Sequence, residues 1–318
     1  MVTSDLAEVA SGLGDAARIG GLLGEATRYH LASGGTAWRA QLAIECGHAL
    51  GVRRVDCILL AVACELVHQA SVVQDDAQDK APLRRGQESA AAKFGAATAV
   101  CVGDHLLVSA FAQLAALPRS PDLIRLFGHG IGQMAAAQAE EFNPALWSTM
   151  TQLRYEALIG GKSGAMVVLP VAGAALLAGL PAAEVAHLTA AAQALGIAYQ
   201  AGDDVQDLVT DLISGSLNGV VVRGLVGAGE AGRPRWLDLL ARARLGKLPA
   251  KEALAVAEAL KTERALTLDW SLALLSNAAA GLSAQASRRC SPLVSVIDQA
   301  ADMLASRMAR DRKSLYAA

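Results

Sequence analysis

The sequence predicts an all-α protein in a single domain over residues 1–318, and three observations predict it. Of 318 residues, 53% are hydrophobic and only 18% charged, enough apolar material for a large core. Ala and Leu, both good helix formers, dominate, while aromatic residues number four each of Trp, Tyr and Phe and period-two alternation is nearly absent. Gly and Pro fall in short clusters between long apolar stretches, which is the punctuation of helices rather than of domains.

Taken in order, helices are expected near 15–32 and 38–50, parted by Ser33-Gly34-Gly35. The next, near 54–79, closes before the stretch Pro82 to Gly86. Helices near 92–117 and 121–140 end at Pro118 to Pro121 and at Asn143-Pro144. One near 149–179 stops at Gly179-Leu180-Pro181, and one near 182–211 runs to a glycine-rich break from Gly215 to Gly232. Helices near 234–244, 250–281 and 293–314 complete the set. Residues 163–183 carry no charge and are long enough to span a bilayer. Pro170 and Pro181 interrupt them and Gly164, Gly173 and Gly179 thin them, so this stretch reads as a core helix rather than a membrane span.

Net charge is −2 with no basic block, which gives nucleic-acid binding no electrostatic support. Cys46, Cys57, Cys64, Cys101 and Cys290 show neither disulfide nor metal spacing and read as small buried hydrophobes in a reducing compartment. The opening MVTSDLAEVASGLGD places Asp5 and Glu8 where a secretory signal needs basic and then apolar residues, so a cytoplasmic location is expected. His30, His48, His105, His129 and His187 have no metal spacing and read as structural.

The chemistry is concentrated in one acidic pentad that occurs twice: Asp75-Asp76-Ala77-Gln78-Asp79 and Asp203-Asp204-Val205-Gln206-Asp207. Each ends a long apolar stretch. On a helix, residues i and i+4 share a face, so Asp75 stacks with Asp79 and Asp203 with Asp207. Clustered carboxylates on an apolar wall repel one another unless cations neutralise them. Oxygen ligands without Cys or His suit Mg²⁺, which takes one or two carboxylates, waters and substrate phosphate oxygens. Just beyond the first pentad, Arg84 and Arg85 offer guanidinium forks matched to phosphate oxygens, which points to a polyanionic substrate. Lys162, after Gly160-Gly161, adds a cation at the start of an apolar helix, and Gly34-Gly35-Thr36-Ala37-Trp38-Arg39 turns into a helix with one more Arg.

From about Arg28 to Val222 the sequence resembles the trans-prenyltransferases, the polyprenyl diphosphate synthase branch of the isoprenoid synthases. The resemblance is carried by ELVHQASVVQDDAQDKAPLRRG, FGAATAVCVGDHLLVSAF, GGKSGA and AYQAGDDVQDLVTD. It implies an all-α isoprenoid synthase bundle in which the two acidic motifs face each other across an apolar cavity. It also implies three Mg²⁺ ions with substrate bound, Mn²⁺ being able to substitute, and a homodimer. The metal ligands would be Asp75, Asp79 and Asp203, with Asp76, Asp204 and Asp207 in support. An allylic prenyl diphosphate would meet Arg84 and Lys162, with Gln200 along the reacting chain. Isopentenyl diphosphate would meet Arg39, His68 and Arg85, and Gln138 and Glu141 would line the cavity. Asp104 would orient a helix.

The departures from the family pattern matter as much. The family's Gly-Gly-Lys-x-x-Arg has Thr36 in place of Lys, and the Gly-Lys-Leu-Asn run after the second motif has Ser216. Losing one charge-assisted phosphate contact of about 1.5–3 kcal/mol weakens binding roughly 10- to 150-fold. Two chemistries therefore stand: elongation with isopentenyl diphosphate, or cyclisation or other capture of the same cation without it. Scarcity of aromatic residues favours elongation, because cyclases shield cations with aromatic faces. A non-catalytic partner subunit is a third reading, opposed by six intact aspartates. Ala70 and Ser71, one turn before Asp75, are small, so an open floor predicts a product of C20 or longer. Arg307, Arg310, Arg312 and Lys313 read as a solvated basic helix end.

Overall fold

A computed structural model describes residues 2–285, 294–299, 301–303 and 305–306. Helices account for nearly all of the described secondary structure, as the composition predicts. The chain forms two compact units. The first comprises Met1–Ile131 and Val168–Leu188, the second Gly132–Val167 and Thr189–Ala286, beside short C-terminal segments.

The first unit is organised around α4 (Arg54–Gln78), whose bounds fall within a residue of the expected helix. Its Leu60, Ala61, Ala63, Leu66, Val67, Ala70 and Val73 are buried. Around it pack α1 (Val2–Ala16), α3 (Trp38–Ala49), α5 (Ala90–Phe94) and α6 (Ala96–Ala115), with α2 (Gly21–Ala32) against α6. Helix α1 lies outside the expected set. Its apolar spacing is diluted by Ser and Gly, and a tertiary contact compensates: the buried Asp5 accepts from Arg54 Nε at 2.7 Å. The break expected at Pro82 to Gly86 is a hairpin, with Leu83–Arg84 paired antiparallel to Gln87–Glu88. Arg85 (φ 52°) and Gly86 (φ 81°) form its two-residue turn, and both left-handed positions match the twist such turns need. Helix α7 (Ser120–Glu141) follows.

In the second unit the expected helix 149–179 is resolved into α8 (Gln152–Ile159), a π-helical turn (Gly160–Gly164) and α9 (Ala165–Leu177), which continues into the first unit. The uncharged stretch does pack inward: Val167 to Leu169 and Val171, Ala172, Ala174 and Ala175 are buried. The helix expected at 182–211 breaks at Asp207 into α10 (Ala182–Gln206) and α11 (Leu208–Ser214). The glycine-rich break is itself corrected, because it contains α12 (Gly219–Gly227) and the start of α13 (Gly229–Arg244). Asn218 caps α12 by accepting from the N–H groups of Val220 and Val221, and Val220 to Val222 are buried. Local propensity yields there to packing. Helices α14 (Ala250–Ala259) and α15 (Lys261–Gln285) replace the single helix expected from 250.

Among the described residues three helical stretches are long and apolar enough to cross a bilayer, 54–78, 96–115 and 152–177. Cys46, Cys57 and Cys64 are buried thiols and Cys101 is exposed. Arg307, Arg310, Arg312, Lys313 and Cys290 lie outside the described residues.

Candidate functional site: two anchored acidic helix ends

In the first unit the acidic pentad sits at the C-terminus of α4, where the Asp79 N–H donates to Asp75 O at 2.8 Å. That bond closes a helical turn and places the two outer side chains one above the other. Asp75 is half-buried and Asp79 exposed, whereas Asp76 is fully buried. Arg84, on the hairpin, reaches Asp76 through Nε at 2.9 Å and Nη2 at 2.5 Å. The middle aspartate is therefore already engaged, and the outer pair faces outward. Arg84 is half-exposed, so a face of its guanidinium stays open to solvent.

Among the half-exposed residues of α4, His68, Ser71, Val72 and Asp75 follow one another at helical spacing as one stripe. Ser71 belongs to this stripe, donating to His68 O at 2.8 Å; Ala70 falls on the enclosed side. Arg39 Nη1 lies 3.4 Å from His68 Nε2. Arg85 lies against Gly35, where an added Cβ would stand 2.9 Å from its Nη2. Burial first, then the fields of Arg39 and Arg85, push the His68 pKa down to about 2, so the imidazole is neutral. Arg39 and Arg85 thus lie near His68, while Thr36 is an exposed residue of the adjoining turn.

The second unit repeats the arrangement at the end of α10. The Asp207 N–H donates to Asp203 O at 2.9 Å; Asp203 is half-buried, Asp207 exposed and Asp204 buried. Here the middle carboxylate is held by neutral donors. Asp204 Oδ2 accepts from Tyr155 Oη at 2.6 Å and from the Gly219 N–H at 2.6 Å, and Oδ1 accepts from Gln200 Nε2 at 2.8 Å. Burial outweighs these bonds and pushes the Asp204 pKa up to about 6. Asp211, one turn beyond Asp207, is pushed by burial to about 7 although the Asn218 amide donates to it at 2.8 Å. Gln200 Oε1 accepts from Ser163 Oγ at 2.6 Å, and Lys162 Nζ lies 3.3 Å from Glu141 Oε1. Gln138, on α7, is half-buried. Ser216 is exposed and shares a hydrogen bond with Ser214.

Tyr155, Asn218 and Asp211 are absent from the sequence-based set. Their partners are distant in sequence or come from the glycine-rich stretch, so spacing alone carries no signal for them. Among the described residues no three His, Cys, Asp or Glu side chains form a metal cage by themselves. The donor set still fits Mg²⁺, which keeps several waters and binds through one or two carboxylates plus substrate phosphates.

The model of the polyprenyl synthetase family matches residues 21–214, which contain both pentads, the hairpin arginines and the π-helical turn. The chain is 29% identical to an octaprenyl diphosphate synthase of Haemophilus influenzae over 58% of its length and 56% of that relative. It is 32% identical to a farnesyl diphosphate synthase of Geobacillus stearothermophilus over 58% of its length and 66% of that relative. The chain thus spans between half and two thirds of these curated relatives. Among solved structures, a polyprenyl synthetase from Streptomyces coelicolor A3(2) superposes with a TM-score of 0.85 at 22% identity, covering 95% of this chain and 98% of that one. A decaprenyl diphosphate synthase from Rhodobacter capsulatus gives 0.82 at 22% identity over 96% and 97%. With well over half of its residues inside the family match, the chain belongs to the polyprenyl synthetase family.

Proposed function

We propose that the protein is a Mg²⁺-dependent isoprenyl diphosphate synthase that ionises an allylic prenyl diphosphate and condenses it with isopentenyl diphosphate to give a trans-prenyl diphosphate of C20 or longer. The observation that carries this reading is the duplicated helix end, with outer carboxylates stacked and outward and the middle one anchored. The names of the relatives, octaprenyl and farnesyl diphosphate synthases, support the same class of reaction.

Asp75, Asp79, Asp203 and Asp207 would hold Mg²⁺, and Asp76 and Asp204 fix the helix ends that present them. Held there, Mg²⁺ would supply the positive charge that makes diphosphate a good leaving group. Arg84 and Lys162 add charge-assisted hydrogen bonds to the departing oxygens, where preorganised charge has its greatest effect. Arg39 and Arg85 bind the second diphosphate, and neutral His68 donates a hydrogen bond rather than a charge. The His68–Ser71–Val72 stripe lies along the hydrocarbon tail. Helix α6 exposes Val100 and Val108 on an apolar helix, and this surface forms the contact of a cytoplasmic homodimer.

A second reading has its own observation. The exposed Thr36 and Ser216 stand where the family carries lysines, so the isopentenyl site is weakened and the cation could cyclise instead. One experiment separates the two. C10, C15 and C20 allylic diphosphates are incubated with and without isopentenyl diphosphate, in Mg²⁺ or excess EDTA, and products are read by mass spectrometry. Elongation gives longer diphosphates only with isopentenyl diphosphate and Mg²⁺. A hydrocarbon or alcohol from one allylic diphosphate replaces elongation with cyclisation, and full turnover in EDTA, or in Asp75→Ala or Asp203→Ala, sinks both.

A further inference from the structure

The GGKSG segment is a π-helical turn, a wider coil than the α-helix that needs outside support and often marks a functional site. Its support comes from one face of α10. Gln193 Nε2 donates to Gly160 O at 2.8 Å, and the same carbonyl accepts the π-type bond from the Ala165 N–H, so both lone pairs are used. Two glycines of the turn are shaped around that side chain: an added Cβ would stand 2.9 Å from Gln193 at Gly160 and 2.9 Å at Gly164. One turn along, Gly196 lets the backbones meet, since a Cβ there would lie 2.6 Å from Ser163 O. One turn further, Gln200 accepts from Ser163 and donates to Asp204. Gln193, Gly196, Gln200 and Asp204 follow one another at helical spacing, so one face of α10 both grips the turn bearing Lys162 and carries the second acidic end.

We propose that Gln193 is a positioning residue: it holds the π-helical turn in its widened form and thereby sets where Lys162 stands relative to the acidic end of α10. The proposal rests on the reading of Lys162 as a diphosphate ligand. Without the Gln193 amide, Gly160 O loses its second donor, and the turn relaxes toward a regular helix that rotates the residues after it. The effect is expected on the allylic side, because the hydrogen bonds that hold the turn lie within the second unit, whereas Arg39, His68 and Arg85 belong to the first.

The test compares Gln193→Leu, which keeps volume and loses the donor, with Leu195→Val, which trims a buried side chain on the same helix. Four quantities are measured: melting temperature, amide exchange over residues 160–166, affinity for inorganic diphosphate with Mg²⁺, and kcat against KM for isopentenyl diphosphate. Gln193→Leu is expected to speed exchange and to cut diphosphate affinity and kcat by at least about tenfold, with KM for isopentenyl diphosphate within about twofold. Leu195→Val should lower the melting temperature without those losses. Wild-type exchange, diphosphate affinity and kcat in Gln193→Leu, or losses no greater than in Leu195→Val, would overturn the proposal. If wild-type protein binds no inorganic diphosphate, the role of Lys162 falls, and the exchange measurement alone decides whether Gln193 holds the turn.

Discussion

Replacing Tyr155 by Phe removes one hydroxyl from the fully enclosed network behind the second acidic end. Asp204 accepts three hydrogen bonds, two on Oδ2 and one on Oδ1, and the substitution deletes the Tyr155 bond at 2.6 Å while leaving the ring in place. A hydrogen bond to a charged acceptor is worth about 1.5–3 kcal/mol, and one to a neutral acceptor about 0.5–1.5 kcal/mol. Which value applies depends on pH. The folded pKa of Asp204 is raised to about 6 from an ordinary 3.8. A carboxyl raised in the folded state stabilises the fold below its unfolded pKa and loses that contribution as pH rises through its folded pKa. At pH 8 the carboxylate is charged and depends on its donors; at pH 5 it is mostly protonated. Urea unfolding in EDTA should therefore show a loss of about 2 kcal/mol at pH 8 and about 1 kcal/mol at pH 5. An equal loss at the two pH values, or none at pH 8, would refute the assignment of Tyr155 as a donor to an ionising Asp204.

Three further outcomes are expected. Asp76→Asn should cost about 1–3 kcal/mol in denaturant unfolding, less than a fully buried pair because Arg84 is half-exposed, and a change within about 0.5 kcal/mol would show that Arg84 does not depend on it. Thr36→Lys should lower KM for isopentenyl diphosphate by roughly 10- to 150-fold in steady-state kinetics and leave KM for the allylic partner nearly unchanged. Ser71→Phe should shift the product toward C15 with the first condensation largely kept, read by chromatography of dephosphorylated products, whereas Ala70→Phe should overpack an enclosed site at about 1–3 kcal/mol; unchanged product length in Ser71→Phe would mean that the tail takes another route.

The parts of the site legible in the sequence are those set by local periodicity. The pentads, their place at helix ends and the stacking of Asp75 with Asp79 follow from i, i+4 geometry and need no tertiary information. The separation of outer from middle aspartates is also local, since one residue along a helix turns the side chain by roughly 100°. Tyr155, Gln193 and Asn218 were illegible for the opposite reason: each acts on a residue brought near only by folding. Glycine argues against helix α12 in isolation, while buried Val220 to Val222 and the Asn218 cap decide it in context. Arg85 at φ 52° likewise hid the hairpin, because a non-glycine residue in the left-handed region gives no turn signal.

The two acidic ends solve the same physical problem by different means. A helix C-terminus frays unless something outside the helix ties it down. At α4 the tie is one charged residue from the adjacent hairpin, Arg84 on Asp76, eight positions away in sequence. At α10 it is a neutral set drawn from Tyr155, Gly219 and Gln200, of which only Gln200 lies on the same helix. The first end can therefore order as soon as its own helix and hairpin form. The second requires α8 and α12 to be in place, so a lesion in the Asn218 cap is expected to loosen the end that carries Asp203 and Asp207. Asp76 meets a cation, whereas Asp204 is enclosed with neutral donors only, and burial lifts its pKa to about 6, so this end responds to pH.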